Sequence, residues 1–177
     1  MSLLEFSIQP LDTTIHPRDS FDCGVEALNR YLQEQAGQDM RRMASGCWVL
    51  VESVEPAKIL GYYTLSPEGI EMSALTNLSA SLRKKIPRYQ RLGAVLLGRL
   101  AVHREHQGKG IGNRLMMDAF HRTLRSEIPS LLMVTDPKDL KAEAFYSRYG
   151  FERLNATRLY VPMVSVEKFL AEQDSHH

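Results

Sequence analysis

Cysteine is scarce in this chain, and its apolar runs are short. Only Cys23 and Cys47 occur in 177 residues. They make neither a disulfide framework nor a Cys-x-x-Cys pair, and no histidine stands at metal-ligand spacing from either. No metal site is expected. No apolar stretch approaches the roughly 18 residues that a membrane span needs, and Met1–Pro10 lacks the basic leader and apolar core of a signal peptide. The expectation is a cytoplasmic protein without a membrane partner. A dominant charge is missing too: 22 Lys and Arg against 21 Asp and Glu leave a net +1, so the whole chain is no polycation. Repeats and low-complexity segments are also lacking. What is present suits one compact domain over 1–177, because 44% hydrophobic and 24% charged residues can build one substantial core.

Along the chain, short strands alternate with helices. Leu4–Leu11 alternates as an edge strand, and Asp22 is placed to cap a helix over 25–42 that carries Val25, Leu28, Leu32 and Ala36 on one face. Cys47–Val54 and Lys58–Ser66 flank a short turn and read as a hairpin, which Ser66–Gly69 then breaks. Leu75–Lys85 is a short polar helix or loop. After Pro87 come a strand over 94–102, a helix over 110–127, a strand over 131–135 and a helix closed by Gly150 as its C′ residue. A strand ending at Val161–Met163 and a helix over 165–173 finish the chain. This order predicts the α/β class, a central mixed sheet with helices on both faces.

The strand that ends at Val102 leads into His103-Arg104-Glu105-His106-Gln107-Gly108-Lys109-Gly110-Ile111-Gly112. Gly108, Gly110 and Gly112 permit a tight turn and close approach of a ligand to backbone N–H groups, at the positive end of the following helix. That is an anion cradle, and a pyrophosphate fits it. Lys109 is followed by Gly110 and Ile111, so no hydroxyl is placed for magnesium as in a Walker loop. The Gly-x-Gly-x-x-Gly dinucleotide fingerprint is not matched either.

What remains is Gln-x-x-Gly-x-Gly at Gln107, Gly110 and Gly112 after an apolar strand, and it resembles the acyl-coenzyme A loop of the GNAT N-acetyltransferases. Ala142-Glu143-Ala144-Phe145-Tyr146-Ser147-Arg148-Tyr149-Gly150-Phe151 resembles the second signature of that family. The resemblance implies the GNAT fold, acetyl-CoA as cofactor, and Gln107, Gly108, Lys109, Gly110, Ile111 and Gly112 around its pyrophosphate. It also implies that Leu100 and Val102 lend backbone groups to the pantetheine amides. Tyr146 is then the residue at the thioester sulfur, where a phenol donates to the departing thiolate. Tyr146 and Tyr149 also read as helix residues packed on a sheet, and Tyr149 keeps that reading.

Further segments resemble the GNAT toxins of type II toxin–antitoxin modules. They are Phe21–Leu32, Gln38–Arg42, Gly61–Ser66, Ile86–Tyr89 and Leu97–Val102. This likeness implies acetylation of the α-amino group of aminoacyl-tRNA, which blocks translation, a ribbon-helix-helix antitoxin as partner, and a homodimer. Charge clustering gives partial support: Arg41 and Arg42, then Arg83, Lys84, Lys85, Arg88 and Arg91, are seven cations in two short segments that suit phosphates. Tyr89 suits stacking on an unpaired base. The same residues read equally as a helix end, a solvated loop or an antitoxin surface, and Arg99 reads as structural or as facing substrate. Glu68, Glu71 and His103–His106 are the candidates for a base, none of them assigned. An aminoacyl ester lowers the pKa of its amine, so no dedicated base is required. Two other readings stay open: acetylation of a protein lysine or small amine, and a non-catalytic binding subunit.

Overall fold

A computed structural model describes residues 5–76, 78 and 80–176. Leu4, Asn77, Ser79 and His177, on which parts of the expectations fall, lie outside the described residues. Seven strands run in the order β1-β2-β3-β4-β5-β7-β6 and form one mixed sheet. They are β1 (Phe6–Pro10), β2 (Gly46–Glu52), β3 (Glu55–Glu71), β4 (Arg91–Val102), β5 (Leu132–Thr135), β6 (Glu152–Arg153) and β7 (Leu159–Pro162). The helices are α1 (Glu26–Arg30), α2 (Ala36–Arg41), α3 (Ala80–Lys85), α4 (Ile111–Leu124), α5 (Leu140–Ser147) and α6 (Met163–Asp174). The mixed sheet and the order of elements agree with the sequence expectation.

The chain divides into two compact units, one of residues up to Ser66 with Gly98–His121, the other of Pro67–Leu97 with Arg122 onward. In the first, β1 and β2 pair antiparallel from Phe6↔Glu52 to Pro10↔Trp48, and β2 pairs antiparallel with β3 from Gly46↔Leu65. Leu32, Ala36, Val49, Val51 and Tyr62 form its core, each fully buried. Burial of such side chains contributes about 1.5–3 kcal/mol apiece, against about 0–1 for an exposed ion pair such as Arg30–Glu26, so packing fixes this unit. Gly61 leaves no room for a side chain: a Cβ would stand 2.9 Å from both the Ala101 carbonyl and Leu115 Cδ1. That close approach seats α4 against the β3 and β4 backbones.

The second unit holds the parallel β4–β5 pair, Ala94↔Leu132 to Leu96↔Val134, and the antiparallel β5–β7 and β6–β7 pairs. Leu92, Ala94, Leu132, Val134 and Tyr160 are in its core. Arg158 clasps Asp136 with two nitrogens at 2.8 and 2.9 Å and reaches Glu68 at 3.2 Å.

Several expectations are corrected. β3 does not stop at Ser66–Gly69 but runs to Glu71. The β2 ladder has already ended at Leu65, so Pro67 forfeits no bond to that neighbour. The single helix over 25–42 is three pieces, α1, a π-turn over Tyr31–Gln35 and α2. Asp22 is not its cap: Val25 holds that position without a side-chain bond, while Asp22 Oδ1 accepts from the Gly24 N–H and Asn29 Nδ2. Gly150, with φ +89°, lies one residue beyond the C′ position, because α5 ends at Ser147 and Arg148 is its C-cap.

Candidate functional site

β4 delivers the loop that precedes α4. Its ladder to β5 covers Ala94–Leu96, and the strand carries on through Leu100 and Val102. Gly108 and Gly110 have φ of +76° and +82°, and a Cβ at either would meet nothing within 4 Å. Backbone handedness, not space, therefore selects glycine at these two positions. Gly112 is different. It lies in the first turn of α4 rather than in the loop, so only two of the three expected turn glycines act as such. Lys109 is exposed and Ile111 is 2% exposed, which leaves Ile111 a backbone contribution at most.

Gln107 is also corrected in part. Its side-chain Nε2 donates to the Cys23 and Val102 carbonyls, 3.0 Å each, and so splints the loop to the end of β4 and to the segment before α1. Only its backbone faces the role that the motif implied. Electrostatically the loop is cationic: burial first, then the charges of Lys109 and Lys58, hold the His106 ring below its ordinary pKa. α4 has no acidic residue in its first turn, so its leading N–H groups keep their positive end unneutralised.

Tyr146 is the buried residue of α5, 6% exposed. Asp139 caps that helix by accepting the Ala142 N–H at 2.8 Å, which fixes the turn from β5. Phe145 and Phe151 surround the Tyr146 ring at centroid distances of 5.2 and 5.5 Å. Burial pushes its phenol up to about 12, so the hydroxyl is neutral at every physiological pH. The Thr135 hydroxyl at the end of β5 works against that burial and draws the phenol down. Thr135 Oγ1 has one proton, and the Leu97 carbonyl accepts it at 2.9 Å. Sequence reasoning missed Thr135; a polar residue closing a strand whose four positions are all buried was the available signal.

Other candidates disperse. Glu71 is paired with Arg91 and Glu68 with Arg158, while His103 Nδ1 accepts the Glu105 N–H, so these three are engaged; Glu105 is exposed and His106 half-buried. Arg41 ends α2, Arg42 is its exposed C-cap, and Arg83, Lys84 and Lys85 form the exposed last turn of α3. Arg83 and Arg88 line a cavity of about 820 Å³ with Met72, Leu75, Ile86 and Tyr89. Among the described residues no group of three His, Cys, Asp or Glu side chains could hold a metal, and no helix is long and apolar enough to cross a membrane.

The acetyltransferase (GNAT) domain family matches residues 44–153. The tRNA-acetylating toxin of Mycobacterium tuberculosis is 28% identical over 135 residues, 75% of this chain and 76% of its own. Among solved structures, AtaT complexed with acetyl-methionyl-tRNAfMet aligns with a TM-score of 0.80 at 30% identity, over 94% of this chain and 99% of that one. A Tyr-to-Phe variant of the toxin AtaT, bound to the C-terminus of the antitoxin AtaR and to acetyl-CoA, aligns with a TM-score of 0.74 at 25% identity over 93% and 98%. The family match reaches from β2 through the glycine turn and α5 to β6, the stretch that carries both the cationic loop and the buried phenol, and the chain belongs to the GNAT acetyltransferases.

Proposed function

We propose that this chain transfers acetyl from acetyl-CoA to the α-amino group of aminoacyl-tRNA, and that it acts as a toxin by removing charged tRNA from translation. The amine nitrogen bonds to the thioester carbonyl carbon, the C–S bond breaks, and the amine proton passes to solvent. Tyr146 donates a hydrogen bond to the departing thiolate. A phenol near 12 does not give its proton outright to a thiolate whose conjugate thiol titrates near 8.5, so stabilisation by the bond, not full transfer, is its task. The backbone of Gln107–Gly112 takes the pyrophosphate, and Leu100 and Val102 offer backbone groups to pantetheine. Arg41, Arg42, Arg83, Lys84, Lys85 and Arg88 are the cations offered to tRNA phosphates.

The observation that carries the catalytic reading is the burial of Tyr146, neutral and walled by Phe145 and Phe151, in a chain with the GNAT loop. The relative that acetylates tRNA and the AtaT complexes support the choice of substrate and cofactor. The reading extends to one catalytic domain over 1–177 working in the cytoplasm, a homodimer, and control by an antitoxin of the ribbon-helix-helix class.

The test is transfer of labelled acetyl from acetyl-CoA to charged and uncharged tRNA. Label is expected on charged tRNA alone, and Tyr146→Phe should cut turnover while acetyl-CoA still binds. Label on protein or small amines instead overturns the substrate class; undiminished turnover in the variant overturns the role of Tyr146.

A further inference from the structure

Three arginines of the first unit, Arg18, Arg41 and Arg99, gather around the π-turn between α1 and α2. Nη1 of Arg18 and Nη1 of Arg41 each lie 3.4 Å from the point where a Cβ on Gly37 would stand. The guanidinium of Arg99 lies over the Tyr31 ring, 3.4 Å from its centroid. Tyr31 is the first residue of the π-turn and is 5% exposed. The thiol of Cys47, buried beside them, senses the charges of both Arg99 and Arg18. π-turns inside helices occur often at functional sites because they re-aim side chains. Here the turn brings Tyr31 under Arg99 and leaves a glycine beneath the other two.

None of the three guanidinium groups meets a carboxylate or a hydrogen-bond acceptor among the described residues. The nearby carboxylate, Asp39, is taken up by the Tyr31 hydroxyl at 2.8 Å. Arginines elsewhere do pair: Arg104 with Asp22, Arg153 with Glu143, Arg158 with Asp136 and Arg91 with Glu71. Arg18 and Arg99 are half-buried, so holding their charges together without an anion is unfavourable. An unneutralised group of planar, five-donor forks is complementary to phosphate.

We infer that Arg18, Arg41 and Arg99 form a binding site for phosphodiester groups of the acceptor nucleic acid, with Tyr31 as the platform that holds Arg99. This rests on the aminoacyl-tRNA reading and deepens it. The accepting amine hangs on a terminal ribose, and the phosphodiesters of the adjoining single strand are the anions that travel with it. The pyrophosphate of coenzyme A is left to the loop before α4.

The test compares two acceptors that share the amine and the ester, aminoacyl-tRNA and 3′-aminoacyl-adenosine, which has no phosphodiester. In Arg18→Gln, Arg41→Gln and Arg99→Gln the preference for aminoacyl-tRNA, as a ratio of kcat/KM, should fall about tenfold or more, through KM. The slope of log Kd for tRNA against log salt should drop by about one in each variant. Arg41 is exposed, so its variant keeps the test open should the other two fail to fold. Equal losses on both acceptors would mean that the arginines only support the fold. An unchanged preference and salt slope would overturn the site while leaving the function intact. A wild-type protein that acetylates neither acceptor would overturn the function and the site together.

Discussion

Thr135 shapes the surroundings of Tyr146. Its hydroxyl works against the burial that raises the phenol and donates to the Leu97 carbonyl at 2.9 Å, while Phe145 and Phe151 hold the ring. Thr135→Val removes that hydroxyl at nearly constant volume. Turnover should fall by up to about tenfold, the kinetic worth of one net hydrogen bond, with the KM for acetyl-CoA unchanged and Thr135→Ser restoring the rate; steady-state kinetics of the three proteins decide it. Because Tyr146 stays neutral to about 12, any change of rate between pH 7 and 10 has another source and should persist in Tyr146→Phe. A second buried group responds to acid. His16 is 1% exposed, its Nδ1 accepts the Asp12 N–H at 3.0 Å, and its Nε2 has no partner. Burial first of all holds its pKa below 6.5. The unfolded chain then binds a proton that the folded chain resists, so stability is lost as pH falls below about 6.5. Urea unfolding at pH 7.5 and 5.5 should show a larger loss for the wild type than for His16→Leu.

Among the elements, the loop before α4 was legible from sequence because glycine spacing and a flanking apolar strand are local signals. The same holds for the helical run of α5, though not for its Asp139 cap, and for β2 and β5, where apolar runs coincide with buried positions. What was not legible depends on neighbours. β3 continues through Pro67 because β2 stops pairing at Leu65, a fact of register that no window contains. Gln107 matched the motif, yet its side chain serves the Cys23 and Val102 carbonyls, a contact 84 residues distant in one case. Thr135 gained meaning only from Tyr146. The glycine turn yields its own prediction. At Gly110, φ +82° lies in the left-handed region and a Cβ meets nothing within 4 Å, so Gly110→Ala carries only backbone strain of about 1–2 kcal/mol. Acetyl-CoA affinity by calorimetry should weaken several-fold in Gly110→Ala and far more in Gly110→Asp, which adds a negative charge to the cradle.

For the whole molecule, a net charge of +1 conceals an uneven distribution. Arg30, Arg91, Arg104, Arg153 and Arg158 are in ion pairs, whereas cations gather near the π-turn and at the end of α3. Affinity for tRNA should therefore fall steeply with salt despite near-neutrality. Charge reversal of Arg83, Lys84 and Lys85 together should flatten that dependence, as read by anisotropy titrations across a salt series; an unaltered slope would assign the turn to solvent or to a protein partner. The π-turn at Tyr31–Gln35 has a further consequence for chain length. It holds one residue more than regular helix would, so a single deletion there would restore unbroken α-helix and leave α2 nearly in phase, because the wide turn already absorbs the extra residue. A further insertion would have no such slack and would turn α2 by about 100° about its axis, carrying Arg41 away from Arg18 and Asp39 away from Tyr31. In this segment an insertion and a deletion of one residue are therefore not equivalent accidents.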